Sequence, residues 1–181
     1  MHFAPDTEDT LEFVVALCNT DAGASRTGLD ELSTLEQLRN ILDDLEYTGH
    51  FDRDLEELRT VRETRDLLRV VWSLPRDESA EAVNAMLRDA RALPQLVRHG
   101  RYDWHLHATE PDAPLAERMR VEAALALADV IRMNENGRMR VCTAPDCTGL
   151  LLDLSRNGSK QYCSVRCGNR MNQVAFRERV R

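Results

Sequence analysis

Four of the five cysteines, Cys142, Cys147, Cys163 and Cys167, fall close together with the spacing C-x4-C-x15-C-x3-C. Thiolates are soft ligands, and four of them arranged tetrahedrally at about 2.3 Å are what a structural zinc ion takes. Each pair must then lie on a tight bend. Thr143-Ala144-Pro145-Asp146, inside the first pair, is turn-forming and reads as a knuckle. Two disulfides or an iron–sulfur cluster are the alternatives. Four sulfurs leave no position open to water, so a zinc ion here would be structural rather than catalytic.

The elements that must position these sulfurs can be read from the same stretch. Gly149–Leu154 is apolar and strand-like, and Asn157-Gly158 is a hairpin turn signal, since both residues tolerate positive φ. Lys160–Tyr162 is then the expected return strand. Ser164 caps a helix that carries Cys167 in its first turn. A knuckle, a hairpin and a ligand-bearing helix in this order predict a treble-clef-like zinc finger. Metal binding, worth about 10–16 kcal/mol, would replace the core that so short a segment lacks.

Charge separates this segment from the rest of the chain. Residues 138–181 hold nine basic and three acidic side chains, a net +6, while the remaining 15 basic and 28 acidic give −13. A basic tail on an acidic body points to a polyanionic partner. At about 100° per residue, Arg166, Arg170, Arg177 and Arg181 share one arc of about 60° on the last helix. Asn169, Asn172 and Gln173 flank them, and Arg156 and Lys160 add positive charge from the predicted hairpin. Arginine matches phosphate oxygens and the guanine edge, and asparagine and glutamine match adenine. The helix is therefore expected to enter the major groove of double-stranded DNA. The alternative is a solvated helix packed through Val165, Val174, Phe176 and Val180.

The body, 1–134, reads as mostly helical. Helices are expected over Thr10–Asn19, from Ser33 or Thr34 to Tyr47, over Asp52–Leu74, over Glu78–Leu93 and over Leu115–Met133. Gln95–Thr109 reads as a small β-hairpin turning at His99-Gly100-Arg101, with Trp104, Leu106 and Ala108 alternating with His105 and His107. The fold class is thus mainly α with one hairpin, followed by a finger over 138–181. With 181 residues the chain has room for one domain and a small module. Its longest uncharged apolar runs, Phe13–Cys18 and Ala123–Ala128, are six residues each, far below the about 20 of a membrane span. Asp6, Glu8, Asp9 and Glu12 give the N-terminus the wrong sign for a targeting signal, so a reducing cytoplasmic location is expected.

No catalytic constellation emerges. No histidine follows His107, so the finger lacks the general base that nucleases on this scaffold use. His105 and His107 share a strand face and could chelate a second metal; otherwise they form the hairpin's polar face opposite Trp104 and Leu106. Cys18 could be a nucleophile or, as thiols more often are, a small buried group. Asp43-Asp44 and Glu56-Glu57 read as solvated helix surface.

Cys167-Gly168-Asn169-Arg170, together with Arg140-Val141-Cys142, Asp146-Cys147, Leu152–Arg156 and Tyr162-Cys163-Ser164, resembles the CGNR zinc-finger family. In those bacterial proteins the finger follows an N-terminal ABATE domain, and they are described as candidate stress-induced transcriptional regulators. Leu17-Cys18-Asn19-Thr20 is similar to the Asn-Thr pair that ABATE domains often carry after an apolar stretch. Family members commonly place four residues between the last two cysteines. Here there are three, Ser164-Val165-Arg166, which shifts the expected helix start by one residue. The resemblance implies a DNA-binding regulator that is not an enzyme, associated with the nucleoid when bound. The competing expectation is a zinc-stabilised adaptor that docks a protein. For the acidic body the expected roles are sensing a small-molecule effector, forming a homodimer, or covering the basic helix in an off state.

Overall fold

The computed structural model describes residues 3–45, 47–99 and 102–179. In chain order the elements are α1 (Pro5–Cys18), α2 (Leu35–Asp44), α3 (Leu55–Trp72), α4 (Arg76–Asp89), β1 (Gln95–Val97), β2 (His105–His107), α5 (Leu115–Arg132), a 3-10 turn (Asn136–Arg138), β3 (Met139–Val141), β4 (Leu150–Leu152) and α6 (Val165–Arg179). The expected fold class holds: a mainly helical N-terminal part with one antiparallel hairpin precedes a cysteine-bearing finger. Among the described residues no helix is long and apolar enough to cross a membrane.

Helix α5 is the axis of the body and packs against α1, α3 and α4. Its small residues Ala116, Ala123, Ala124 and Ala126 are buried and let those helices approach closely. Thr34 caps α2 in a full capping box with Gln37, and the Asp54 carboxylate caps α3. Pro75 ends α3 and serves as the N-cap of α4, since its ring is compatible with a helix start but not an interior. The solvated reading of Glu57 is wrong. Glu57 is buried, and its carboxylate accepts from the Asp52 and Arg53 amides at 3.0 and 2.8 Å. The orphan amides entering α3 need such an acceptor.

The hairpin forms as expected, with Gln95 opposite His107 and Val97 opposite His105. Gly100 and Arg101, placed in its turn by the sequence, lie outside the described residues. Its faces are reversed. His105 is only 7% exposed, while Trp104 is 62% exposed and Leu96 and Leu106 also face outward. Strand periodicity says which residues share a face, not which face turns inward. Here the histidine face looks onto a polar cavity bounded by α1 and α5.

The finger's strands differ from the expected hairpin. β4 pairs with β3, Met139 opposite Leu152, so the knuckle is the turn of this ribbon. Lys160–Tyr162 is not a strand. A turn does form there, but it is centred one residue earlier than expected: the Gly158 amide, at φ +56°, donates to the Ser155 carbonyl at 3.2 Å across Arg156-Asn157, and the Lys160 amide donates to the Asp153 carboxylate at 2.8 Å instead of to a neighbouring strand. Nor does the finger lack a core. Met139, Leu150 and Leu152 are buried in the same cluster as Leu11, Leu17 and Trp72 of the body.

Polar bonds lock this junction. The Asn19 side chain donates to the Leu150 carbonyl at 2.9 Å and accepts the Leu150 amide at 2.7 Å, completing the edge of β4 as a neighbouring strand would. Trp72 Nε1 donates to the Arg140 carbonyl at 3.2 Å. Arg69 donates to the Cys18 carbonyl at 2.6 Å and to Thr148 at 3.0 and 3.2 Å. Nearby, buried Arg65 pairs with Asp30 at 2.8 Å, fastening the loop after α1 to α3.

Two outcomes are expected from this geometry. Asn19→Ala strands the amide and carbonyl of Leu150, and each stranded group costs about 1–3 kcal/mol when water cannot reach it. Urea denaturation should show that loss, with the finger and the body destabilised together. Burial alone would raise the Asp30 carboxyl, but bonds from Arg65 and the Leu32 amide and the charges of Arg65 and Arg62 outweigh it and hold it below the usual range. Its contribution is therefore full above about pH 3.9, the ordinary carboxylate value, and is lost as pH falls through the lower folded value. Asp30→Asn should flatten the acid limb of a stability–pH curve and leave its shape near neutrality unchanged.

Candidate metal centre and nucleic-acid interface

Each cysteine arrives on a different piece of local structure. Cys142 follows β3, and its amide donates to the Gly149 carbonyl at 2.7 Å, closing the ribbon above the knuckle. The Cys147 amide donates to the Ala144 carbonyl at 3.1 Å, which makes the bend. Cys163 precedes α6, and Cys167 lies in its first turn, where its amide donates to the Ser164 hydroxyl at 3.3 Å. The expected cap and helix start are thus in place.

The four Sγ atoms lie within 4.8 Å of one another. Cys163 Sγ stands 3.6 Å from Cys147 Sγ and 3.8 Å from Cys167 Sγ. Tetrahedral coordination with 2.3 Å bonds requires sulfurs about 3.8 Å apart. A disulfide requires about 2.05 Å, and all four thiols are free. The donor set therefore fits one tetrahedral metal ion. Burial, followed by neighbouring sulfurs, pushes the Cys163 thiol well up, and burial also raises Cys147. Cys167 moves the other way: the Ser164 hydroxyl and the other sulfurs outweigh its burial. Only a cation lets so crowded a set ionise together. Gly149 must be glycine here, because a Cβ would stand 2.7 Å from Cys163 Sγ and 3.2 Å from Cys147 Sγ.

The sulfur cluster and its surroundings aim α6. Arg170 donates to the Asp146 carboxylate of the knuckle and lies 3.9 Å from Cys167 Sγ. Arg166 donates to the carbonyls of Arg26 and Ser25 at 2.6 and 3.1 Å, tying the helix to the body. These two arginines of the predicted stripe are thus engaged within the chain. Asn169, Gln173, Arg177 and Arg156 are exposed. Lys160 is exposed too, and its Nζ donates to the Leu152 carbonyl at 3.2 Å. Arg181 and Val180 lie outside the described residues. Val165, Val174 and Phe176, expected to pack the helix, are exposed instead.

Sequence reasoning missed several residues that position this site. The Asp153 carboxylate is buried; it accepts from the Ser155 hydroxyl and amide at 2.5 and 3.0 Å and stands 3.2 Å from Arg140. Burial would raise it, but these bonds, the Lys160 amide and Arg140 hold it below the usual range. Its signal was legible only as the acid of Leu152-Asp153-Leu154, a charge in an apolar run. Cys18, by contrast, is an inert core thiol. Burial pushes it up to about 12 against the pull of Arg69 and Arg65, and its Sγ sits 3.7 Å from the Arg65 carbonyl.

Two family models match the chain. Residues 11–134 match the ABATE family model, described as a candidate stress-induced transcription regulator, and residues 138–180 match the CGNR zinc finger. No curated protein matches the chain. The ABATE description is that of a candidate regulator and names no catalytic activity. The ABATE match covers more than half of the chain, and the chain belongs to the ABATE family, with a CGNR zinc finger at its C-terminal end.

Proposed function

We propose that this protein is a bacterial transcriptional regulator in which one structural Zn2+, held by Cys142, Cys147, Cys163 and Cys167, fixes α6 for insertion into the major groove of double-stranded DNA. The observation that carries the reading is the division of labour along α6. Its first turns are anchored to the sulfurs, the knuckle and the body, while Asn169, Gln173 and Arg177 stay exposed on a segment of net positive charge. In this reading Arg166 and Arg170 set the angle of the helix. Arg156, Lys160, Asn169, Gln173, Arg177 and Arg181 face the nucleic acid, the cations on phosphates and the amides on base edges. The protein works in the cytoplasm and associates with the nucleoid when bound.

One finger buries about 600–1,000 Å² on DNA, little for a specific site. A homodimer doubles that and reads a two-fold site with half-sites about 34–36 Å apart. The outward hairpin face, with Leu96, Trp104 and Leu106, offers apolar surface to a second copy. The body repels DNA through its net charge, confining contact to the finger, and its cavities suit a small-molecule effector. One observation favours the competing adaptor reading: Val174 and Phe176 on α6 are exposed and apolar, as a helix that docks a protein would be.

Salt titration separates the two. Each phosphate neutralised contributes about −0.9 to the slope of log K against log salt. Arg177→Ala should weaken binding of duplexes of any sequence and flatten the slope by about 1. Absence of retardation of any duplex at low salt by zinc-loaded protein would establish the adaptor instead. Chelating the metal should abolish duplex binding and Zn2+ should restore it, a cycle that Cys163→Ser breaks. Genome-wide footprinting with that variant as control locates the sites.

A further inference from the structure

We propose that the N-terminal part holds a second metal site, formed by His99, His105 and His107 at the end of the β1–β2 hairpin and chemically distinct from the cysteine centre. His107 Nε2 stands 3.0 Å from His105 Nε2 and 3.2 Å from His99 Nε2, and candidate ligand atoms of all three rings lie within 4.8 Å of one another. Nitrogens bound tetrahedrally at 2.0–2.1 Å sit about 3.3 Å apart, so small adjustments bring all three onto one ion. His105 and His107 share a strand face because they are two residues apart, and His99 reaches them from just beyond β1.

Proton accounting favours an ion over a hydrogen-bonded trio. His105 Nδ1 lies 2.9 Å from the Asp103 carbonyl, which can only accept, so Nδ1 carries the proton and Nε2 presents a lone pair. This is also the outer-shell bond that orients metal-binding histidines. His107 Nε2 then meets two neighbours. If it is protonated, one hydrogen must serve both contacts. If it is not, its lone pair faces that of His105 at 3.0 Å. A cation between the rings satisfies every lone pair at once.

Three imidazoles select a borderline divalent ion such as Zn2+, Ni2+ or Cu2+ over Mg2+ or Ca2+. They also leave a fourth position open, as in sites where water or an exogenous ligand completes the shell. That position borders a cavity of about 530 Å³ whose wall carries Asp6, Asp9, Glu12, Asp44 and Asp129 against Arg132, an excess of negative charge that draws in a cation. The ion therefore gives the body a built-in ligand sensor: either the metal itself or a small donor molecule that completes its shell.

Cobalt titration of the full chain tests this, because sulfur and nitrogen sites differ in colour. Wild-type protein should take two Co2+ per chain: one with intense thiolate-to-metal charge transfer, the other with only weak ligand-field bands. The His105→Gln/His107→Gln variant should take one, with the charge-transfer band unchanged, which also reports that the finger still folds. Uptake of a single equivalent by the wild type, or retention of the second by the double variant, overturns the proposal. If the double variant misfolds, His99→Gln decides, since His99 is exposed. It should weaken the second site beyond the roughly 10–100-fold that loss of an outer-shell partner costs. Unchanged affinity in that variant overturns the site.

Discussion

Four sulfurs gathered within 4.8 Å of one another, with Cys163 only 3.6 and 3.8 Å from Cys147 and Cys167, are the constraint on which the finger depends. As thiols they gain little from such crowding, and as thiolates they repel. Their convergence therefore makes sense only around a cation that turns repulsion into attraction. Once that condition is met, the rest of the finger has little freedom. The knuckle must bend between Cys142 and Cys147, residue 149 can carry no Cβ, and α6 must start within a turn of Cys163. A metal ion held there would set the direction of a helix whose outer half is exposed.

A metal centre alone fixes a helix relative to its own knuckle, not relative to the body. That second constraint comes from the shared core. Leu150 and Leu152 pack with α1, and Asn19 supplies β4 with the edge partner that its two-stranded ribbon lacks. Unpaired edge groups at a buried junction would be costly, and one side-chain amide matches both the donor and the acceptor of a residue. Arg69 and Arg166 add bonds from either side. Finger and body thus share one core and one set of polar bonds at this seam.

The parts legible in the sequence were those governed by local rules. Cysteine spacing marked the four-sulfur cluster, and apolar periodicity and capping residues marked the helices, because each depends on neighbours within a turn or two. Asn157-Gly158 did mark a real turn. What failed depended on contacts distant in sequence. The partner of β4 is β3, on the far side of the knuckle, and turn chemistry cannot announce which strand pairs with which. The inward face of the hairpin was misread because a polar cavity, not an apolar core, lies beneath it. The roles of Arg166 and Arg170 were invisible to a helical wheel, since their acceptors are the Ser25 and Arg26 carbonyls and Asp146.

These last contacts change how the charge asymmetry is to be understood. A stripe of arginines along a helix suggests that every cation faces a phosphate. Two of them instead neutralise or cap groups of the chain itself, and the free positive charge moves toward the outer half of α6 and to Arg156. Field strength at a distance is set by net charge, whereas specificity is set by which forks remain unoccupied. The acidic body then has a physical role beyond solubility. It shares a core with the finger, so its negative charge stands beside the basic segment instead of at the end of a linker. The charge of the molecule is in this way polarised by the fold itself: net positive along the segment that carries α6, net negative on the body behind it.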